Sequence, residues 1–206
     1  MKPTATVVVV LASAYVAAQM MADVASLRIV VVAGVTMDAG TLIYPFTFTL
    51  RDLVHKSAGV RVARALILTA AAVNVVMALL FRLVGNLPPD PVVGPQIEFG
   101  TGLAPVFRIV VASIVAEVVS ELIDTEVYRA WVRRFADRSQ WGRVLASNAV
   151  AVPVDSILFV VIAFGGVLPA SAVVAIIWGN ILVKGLVTLV SIPWIYLVRP
   201  RDQSPL

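Results

Sequence analysis

The chain has 206 residues, 60% of them hydrophobic and only 14% charged, with a mean hydropathy of +0.98 and a formal net charge of +4. Soluble domains average about 25% charged residues, so this composition excludes an ordinary water-soluble domain and implies a polytopic membrane protein. Cysteine is absent, which excludes a disulfide framework, a thiolate metal site and a cysteine nucleophile.

The first apolar run covers Thr4 to Ala22. It is long enough to span a bilayer, and it is too long for a removable signal peptide and lacks a small-residue cleavage site leading into a soluble domain. The next stretch, LRIVVVAGVTMDAG, is rich in β-branched residues and broken by Gly34 and Gly40. Residues 27–39 therefore read as a short extended or re-entrant segment near one membrane face. A second helix, Gly40 to His55, is short and carries Tyr44, Pro45, Phe46 and Phe48, with Pro45 placed to kink it. A third runs from Val62 to Val84 with Asn74 near its middle. The connection GNLPPDPVVGPQIEFGTGLAP holds four prolines before Pro105, and no helix is expected there. Helices four, five and six occupy Pro105–Arg129, Trp141–Phe164 and Pro169–Leu197. At ~20 residues per span, the expectation is an all-α polytopic membrane protein. Its six transmembrane helices form one integral membrane domain over residues 1–206, with the extended or re-entrant segment between helices one and two.

Basic residues set the orientation. Arg51, Lys56, Arg61 and Arg64 flank the turn between helices two and three, and Arg129, Arg133, Arg134, Arg138 and Arg143 crowd the turn between four and five. Lys2, Arg199 and Arg201 lie at the ends, whereas the long connection carries Asp90 and Glu98 without Lys or Arg. By the positive-inside rule both termini are cytoplasmic. The pI of about 9.9 is explained by topology, and no basic stripe remains for nucleic acid.

Against this background the intramembrane polar residues stand out. Glu117, Glu121 and Asp124 follow i, i+4, i+7 spacing, so they share one helix face, extended by Ser113, Ser120 and Tyr128. Carboxylates in hydrocarbon cost several kcal/mol each unless they face a bundle interior or a wet cavity, so the stripe points to a substrate or ion path. The alternative is that these acids only pair with Arg108, Lys184 or one another. Helix five places Asn148 and Asp155 on one face with Pro153 between them. An apolar-Asp-hydroxyl pattern links Ile123–Tyr128 to Val154–Phe159, a weak internal echo. Helix six aligns Asn180, Lys184, Thr188 and Ser191; Lys184 needs a carboxylate partner, Asp155 or Asp124. Trp131, Trp141, Trp194 and Tyr196 suit an interfacial belt, while Phe46 and Trp178 are placed to stack on a flat ligand.

Enzyme chemistry has little to work with. His55 is the sole histidine and lies at a basic turn, leaving neither a Ser-His dyad in the membrane nor a His-rich metal site, and no cofactor is implied. No GxxxxGK[ST] loop exists, so pumping energy comes from an ion gradient or a separate ATPase.

The segments AYVAAQMMADVASLRIV, DAGTLIYPFTFTLRDLVHKSAG, FRIVVASIVAEVVSELIDTEVYR, SNAVAVPVDSILFVVIAFGG and WGNILVKGLVTLVSIPWIYLVRP, in this order, resemble the queuosine precursor transporter family. These are bacterial six-helix inner-membrane proteins of the vitamin-uptake-transporter type. The resemblance implies import of pre-queuosine bases or queuine, flat 7-deazaguanine compounds used in tRNA modification. Matched to the family's motifs, Pro45, Phe46, Thr47, Phe48 and Asp52 fall on the second helix, Glu121 and Asp124 on the fourth, Asp155 on the fifth, and Asn180 and Lys184 on the sixth. Gln19, Asp23 and Lys56 depart from common family residues.

A 7-deazaguanine offers a ring N–H beside an amine, a two-donor edge that a carboxylate accepts, while Asn or Gln serves its carbonyl. The expected substrate-binding set is Gln19, Phe46, Glu121, Asp124, Asn148, Asp155, Asn180 and Lys184, with Glu117 the proton-coupling candidate. The leading expectation is a secondary transporter for a purine-like small molecule, working in the lipid bilayer by alternating access. Alternatives are the substrate-binding membrane subunit of an ATP-driven vitamin importer, and a membrane scaffold. Gly165 and Gly166 are among the small residues that would support a homodimer.

Overall fold

Residues 5–135 and 140–197 are described by a computed structural model. The apolar runs form helices because nothing else satisfies their backbone groups away from water. In chain order they are α1 (Ala5–Ala25), a hairpin of β1 (Ile29–Val32) and β2 (Val35–Asp38), a 3-10 turn (Ala39–Leu42), α2 (Tyr44–Ala58), α3 (Val60–Gly85), α4 (Ile97–Leu103), α5 (Val106–Phe135), α6 (Gln140–Phe164) and α7 (Ala170–Leu197).

Among the described residues, five stretches are long and apolar enough to cross a membrane: Ala5–Ala25, Arg61–Gly85, Ile97–Ser120, Leu145–Phe164 and Ala170–Val190. Their outward faces carry bare aliphatics such as Leu68, Val76 and Val190, a surface suited to lipid rather than water. Of the six expected spans, the second does not meet this standard. Helix α2 has 15 residues, about 22 Å at ~1.5 Å per residue, against a hydrocarbon core of ~30 Å.

Two sequence expectations are corrected here. The proline-rich connection does contain a helix, α4, because Ile97–Leu103 lies beyond Pro95 and is itself free of proline. Pro45 does not interrupt α2. It occupies the second position of that helix, in the first turn, where its missing N–H has no intrahelical partner to lose.

Residues 27–39 hold the antiparallel hairpin, with Ile29 opposite Asp38 and Val32 opposite Val35. Its two-residue turn has φ of +52° at Ala33 and +80° at Gly34, the paired positive values of a type I′ turn. The hairpin packs on α7, and Gly179 is what lets it approach. A Cβ there would lie 1.9 Å from the Thr36 carbonyl oxygen.

Three apolar clusters hold the helices. Tyr15, Val54 and Leu66 join α1, α2 and α3; Met77, Ala78, Val106 and Val110 join α3 to α5. Around Ile109, Phe159, Val160 and Ile176, α5, α6 and α7 meet, with Ala112, Ala116 and Ala163 among the buried residues. Such small side chains let helices approach closely in a membrane. The α5–α6 interface is the most extensive.

Candidate functional site

Four elements converge on one ion pair. Lys184 of α7 donates to Asp155 Oδ2 of α6, with the lysine side chain 7% exposed and the aspartate 16%. Ser120 of α5 places its hydroxyl 3.4 Å from Asp155 Oδ1 and 3.1 Å from the Glu117 carbonyl. The Tyr44 ring at the start of α2 lies 4.4 Å from Lys184 Nζ, within cation–π range. Of the two partners open to Lys184 in the sequence, the structure brings it to Asp155. Thr188 donates to the Lys184 carbonyl at 3.0 Å, so its hydroxyl is turned onto its own helix.

One turn earlier on α7, Asn180 belongs to a second polar knot. Asp38, 1% exposed, accepts hydrogen bonds from Ser26 Oγ at 2.7 Å, Thr41 N at 3.2 Å, Thr41 Oγ1 at 2.9 Å and Asn180 Nδ2 at 2.7 Å. The Thr41 hydroxyl also lies 3.1 Å from Asn180 Oδ1. Asp38 caps the 3-10 turn, and Gly40 lets that turn press on α1, where a Cβ would stand 2.4 Å from the Ala22 carbonyl. The Asn180 amide, 0% exposed, is therefore committed to holding the hairpin and the turn against α7. Sequence reasoning missed Ser26, Asp38 and Thr41. The available signal was Asp38 three residues before Thr41 at a strand end, an N-cap pattern.

A third knot lies between α1, α3 and α5. Asn74 Nδ2 donates to Asp23 Oδ2 at 2.7 Å; Ser113 hydrogen-bonds the same carboxylate, and Glu117 bears on it electrostatically. Gln19, one turn before Asp23, donates to the Tyr15 hydroxyl at 3.2 Å.

Among the described residues, Arg108 is not a partner of the acids. Its guanidinium donates to the carbonyls of Ile162 and Gly165, where a cation complements the orphan carbonyls at the end of α6. Asn148 is half-buried on α6, two turns before Asp155. Phe46 is 66% exposed and Trp178 67%, so Tyr44 is the ring seated at the ion pair. Glu121 and Asp124 sit on the backbone of α5, but their side chains lie outside the described residues, as do those of Phe48, Asp52 and Lys56.

A bundle of lipid-suited helices with polar groups from α2, α5, α6 and α7 gathered inside is the arrangement of a membrane carrier. A family model described as "Putative vitamin uptake transporter" matches residues 38–198. The chain belongs to this family. Vitamin uptake transporters are carriers, not enzymes, and the match takes in every element from the end of the hairpin through α7. A curated relative, the "Probable queuosine precursor transporter" of Bacillus subtilis (strain 168), is 29% identical over 178 residues, covering 82% of this chain and 76% of the relative. No solved structure matches the chain.

Proposed function

We propose that this vitamin uptake transporter family member is a secondary transporter that imports a queuosine precursor, a 7-deazaguanine base or queuine, across the bacterial inner membrane. The observation that carries the reading is the buried Asp155–Lys184 pair beside Ser120 and the Tyr44 ring. The resemblance to the B. subtilis relative supports the substrate class.

An ion pair held between two helices can be exchanged for a ligand that offers both a donor edge and an acceptor. Asp155 would take the ring N–H and amine of the base, and Lys184, released from it, would donate to the ring carbonyl. Tyr44 would lie against the ring plane, with Phe46 on the same short helix closing over it. Gln19, Asn148, Glu121 and Asp124 would complete the wall, and Asn180 would position α7 through Asp38. Alternating access then exchanges the pair for the base and restores it on release. In this reading α2 is the short sixth span, residues 1–206 form one domain, both termini are cytoplasmic, and Glu117 is the residue at which a proton couples.

The test is uptake in cells that lack queuosine synthesis, supplied with each precursor in turn. Expression of the chain should restore tRNA modification with at least one precursor, and Asp155→Asn should abolish it. Restoration with none would defeat the assignment.

A further inference from the structure

The two edges of the hairpin differ. The Ala39 N–H donates to the Arg28 carbonyl at 2.9 Å, and hydrogen-bonded pairs alternate along an antiparallel ladder. In the register that sets Ile29 opposite Asp38 and Val31 opposite Thr36, Val30 with Met37 and Val32 with Val35 therefore exchange hydrogen bonds. The N–H and C=O groups of Ile29, Val31, Thr36 and Asp38 point away from the partner strand. On β2 this outward row is covered, with the Thr36 carbonyl resting on Gly179 of α7. On β1 it is open. Among the described residues, the main-chain groups of Ile29 and Val31 make no hydrogen bond beyond the strand pair, and Val31 is 67% exposed. The Thr36 hydroxyl, on the same face of the sheet as Val31, has no partner among them either.

This edge lies at membrane depth. Gly179 falls near the middle of the apolar span Ala170–Val190, about 14 Å from its start at ~1.5 Å per residue. Val31 stands across from Thr36, ~4.5 Å away between Cα atoms. Unpaired backbone groups are not tolerated against hydrocarbon, and extended chain at such depth is buried in protein or borders water. Val31 is not buried. A second copy of the chain, paired strand to strand, would satisfy Ile29 and Val31 but leave the Thr36 hydroxyl open, because that group stands on the face of the sheet and not on its edge. Water reaches both. Asp38 at the end of β2 bonds Asn180, and Lys184 lies one turn further along α7, so the open edge neighbours the ion pair.

We propose that the β1 edge at Ile29 and Val31 is one wall of a water-filled route by which substrate reaches the Asp155–Lys184 pair. As a substrate route it rests on the transport reading above; as a water-lined wall it does not. Its N–H and C=O groups present donors and acceptors side by side, which a flat heterocycle carrying both can take over from water in passing.

The test uses the natural absence of cysteine. Val31→Cys and Val32→Cys, with Leu68→Cys and Val76→Cys on lipid-suited faces, are expressed as full chains. Each is treated with a membrane-impermeant methanethiosulfonate in right-side-out and inside-out vesicles. Thiols react as thiolates, which form in water and not in hydrocarbon, so in one orientation Val31→Cys should react about tenfold faster than Leu68→Cys and Val76→Cys. Saturating queuine or pre-queuosine base, whichever is imported, should slow that reaction severalfold. If Val31→Cys fails to fold, Val32→Cys carries the same expectation. Rates at both hairpin positions as low as at the lipid-facing pair would overturn the proposal. So would oxidative cross-linking of Val31→Cys between two copies together with protection from the reagent, which would put a second chain on the edge. Reactivity that an imported base leaves unchanged would take the wall out of the substrate's route and also defeat it. Fast labelling in a chain that imports no precursor would leave the water-lined wall standing and remove the transport reading instead.

Discussion

Asp38 and Asp155 are both acids gripped by α7, through residues one helical turn apart, yet they are neutralised in opposite ways. Asp155 meets an ammonium, Lys184. Asp38 meets no cation in its knot; Ser26, Thr41 and Asn180 supply it with hydrogen bonds to both carboxylate oxygens. The difference separates an anchor from a site. A carboxylate satisfied by several fixed donors loses all of them at once if it moves, so it holds the hairpin in place. A carboxylate held chiefly by one flexible lysine can trade that partner for another donor.

The largest expected effect comes from breaking the ion pair. Lys184→Met leaves Asp155 without its cation and should cost about 3–5 kcal/mol, read as a loss of thermal stability in detergent, together with loss of uptake. Adding Asp155→Leu removes the orphaned charge and should recover most of the stability while uptake stays lost. A double variant that transports would show the pair to be structural only.

The anchor should respond differently. Gly179→Ala drives a Cβ into the Thr36 carbonyl, and the hairpin has to shift, at about 1–3 kcal/mol. Asn180→Leu strips a donor from Asp38 and should also cost about 1–3 kcal/mol, with the KM for uptake changed little. A large rise in KM at unchanged stability would move Asn180 from the anchor into the substrate's path. The smallest effect is expected at the hairpin tip. Ala33 has φ +52°, and Ala33→Asn places a residue better suited to that turn, raising stability by roughly 0.5 kcal/mol in the same unfolding assay.

Much of the helical scaffold was legible because each element is announced by its own residues. The expected helix over Trp141–Phe164 lies within α6, and that over Val62–Val84 lies within α3. Helix α4 was missed because a proline signal was spread over the whole connection, although it acts only near each proline.

The site was legible only as a set of candidates. Lys184 needed an acid, but Asp124 and Asp155 were equally eligible until the α6–α7 packing chose Asp155. Arg108 looked like a counter-ion for the acids and instead caps α6. Asp38 passed as part of an extended segment because its partner Asn180 lies 142 residues away, and Asn74 gained a role only through Asp23, 51 residues away.

The sequence by itself determined the solvent and the order of the helical elements. Transfer into lipid is nearly a sum over neighbouring residues, and backbone hydrogen bonds in a helix close within four of them. Tertiary structure decided which polar groups meet, namely Lys184 with Asp155, Asn180 with Asp38 and Asn74 with Asp23. Those contacts depend on helix rotation and close approach at residues such as Gly179 and Gly40, which bring together groups that no local pattern along the chain connects.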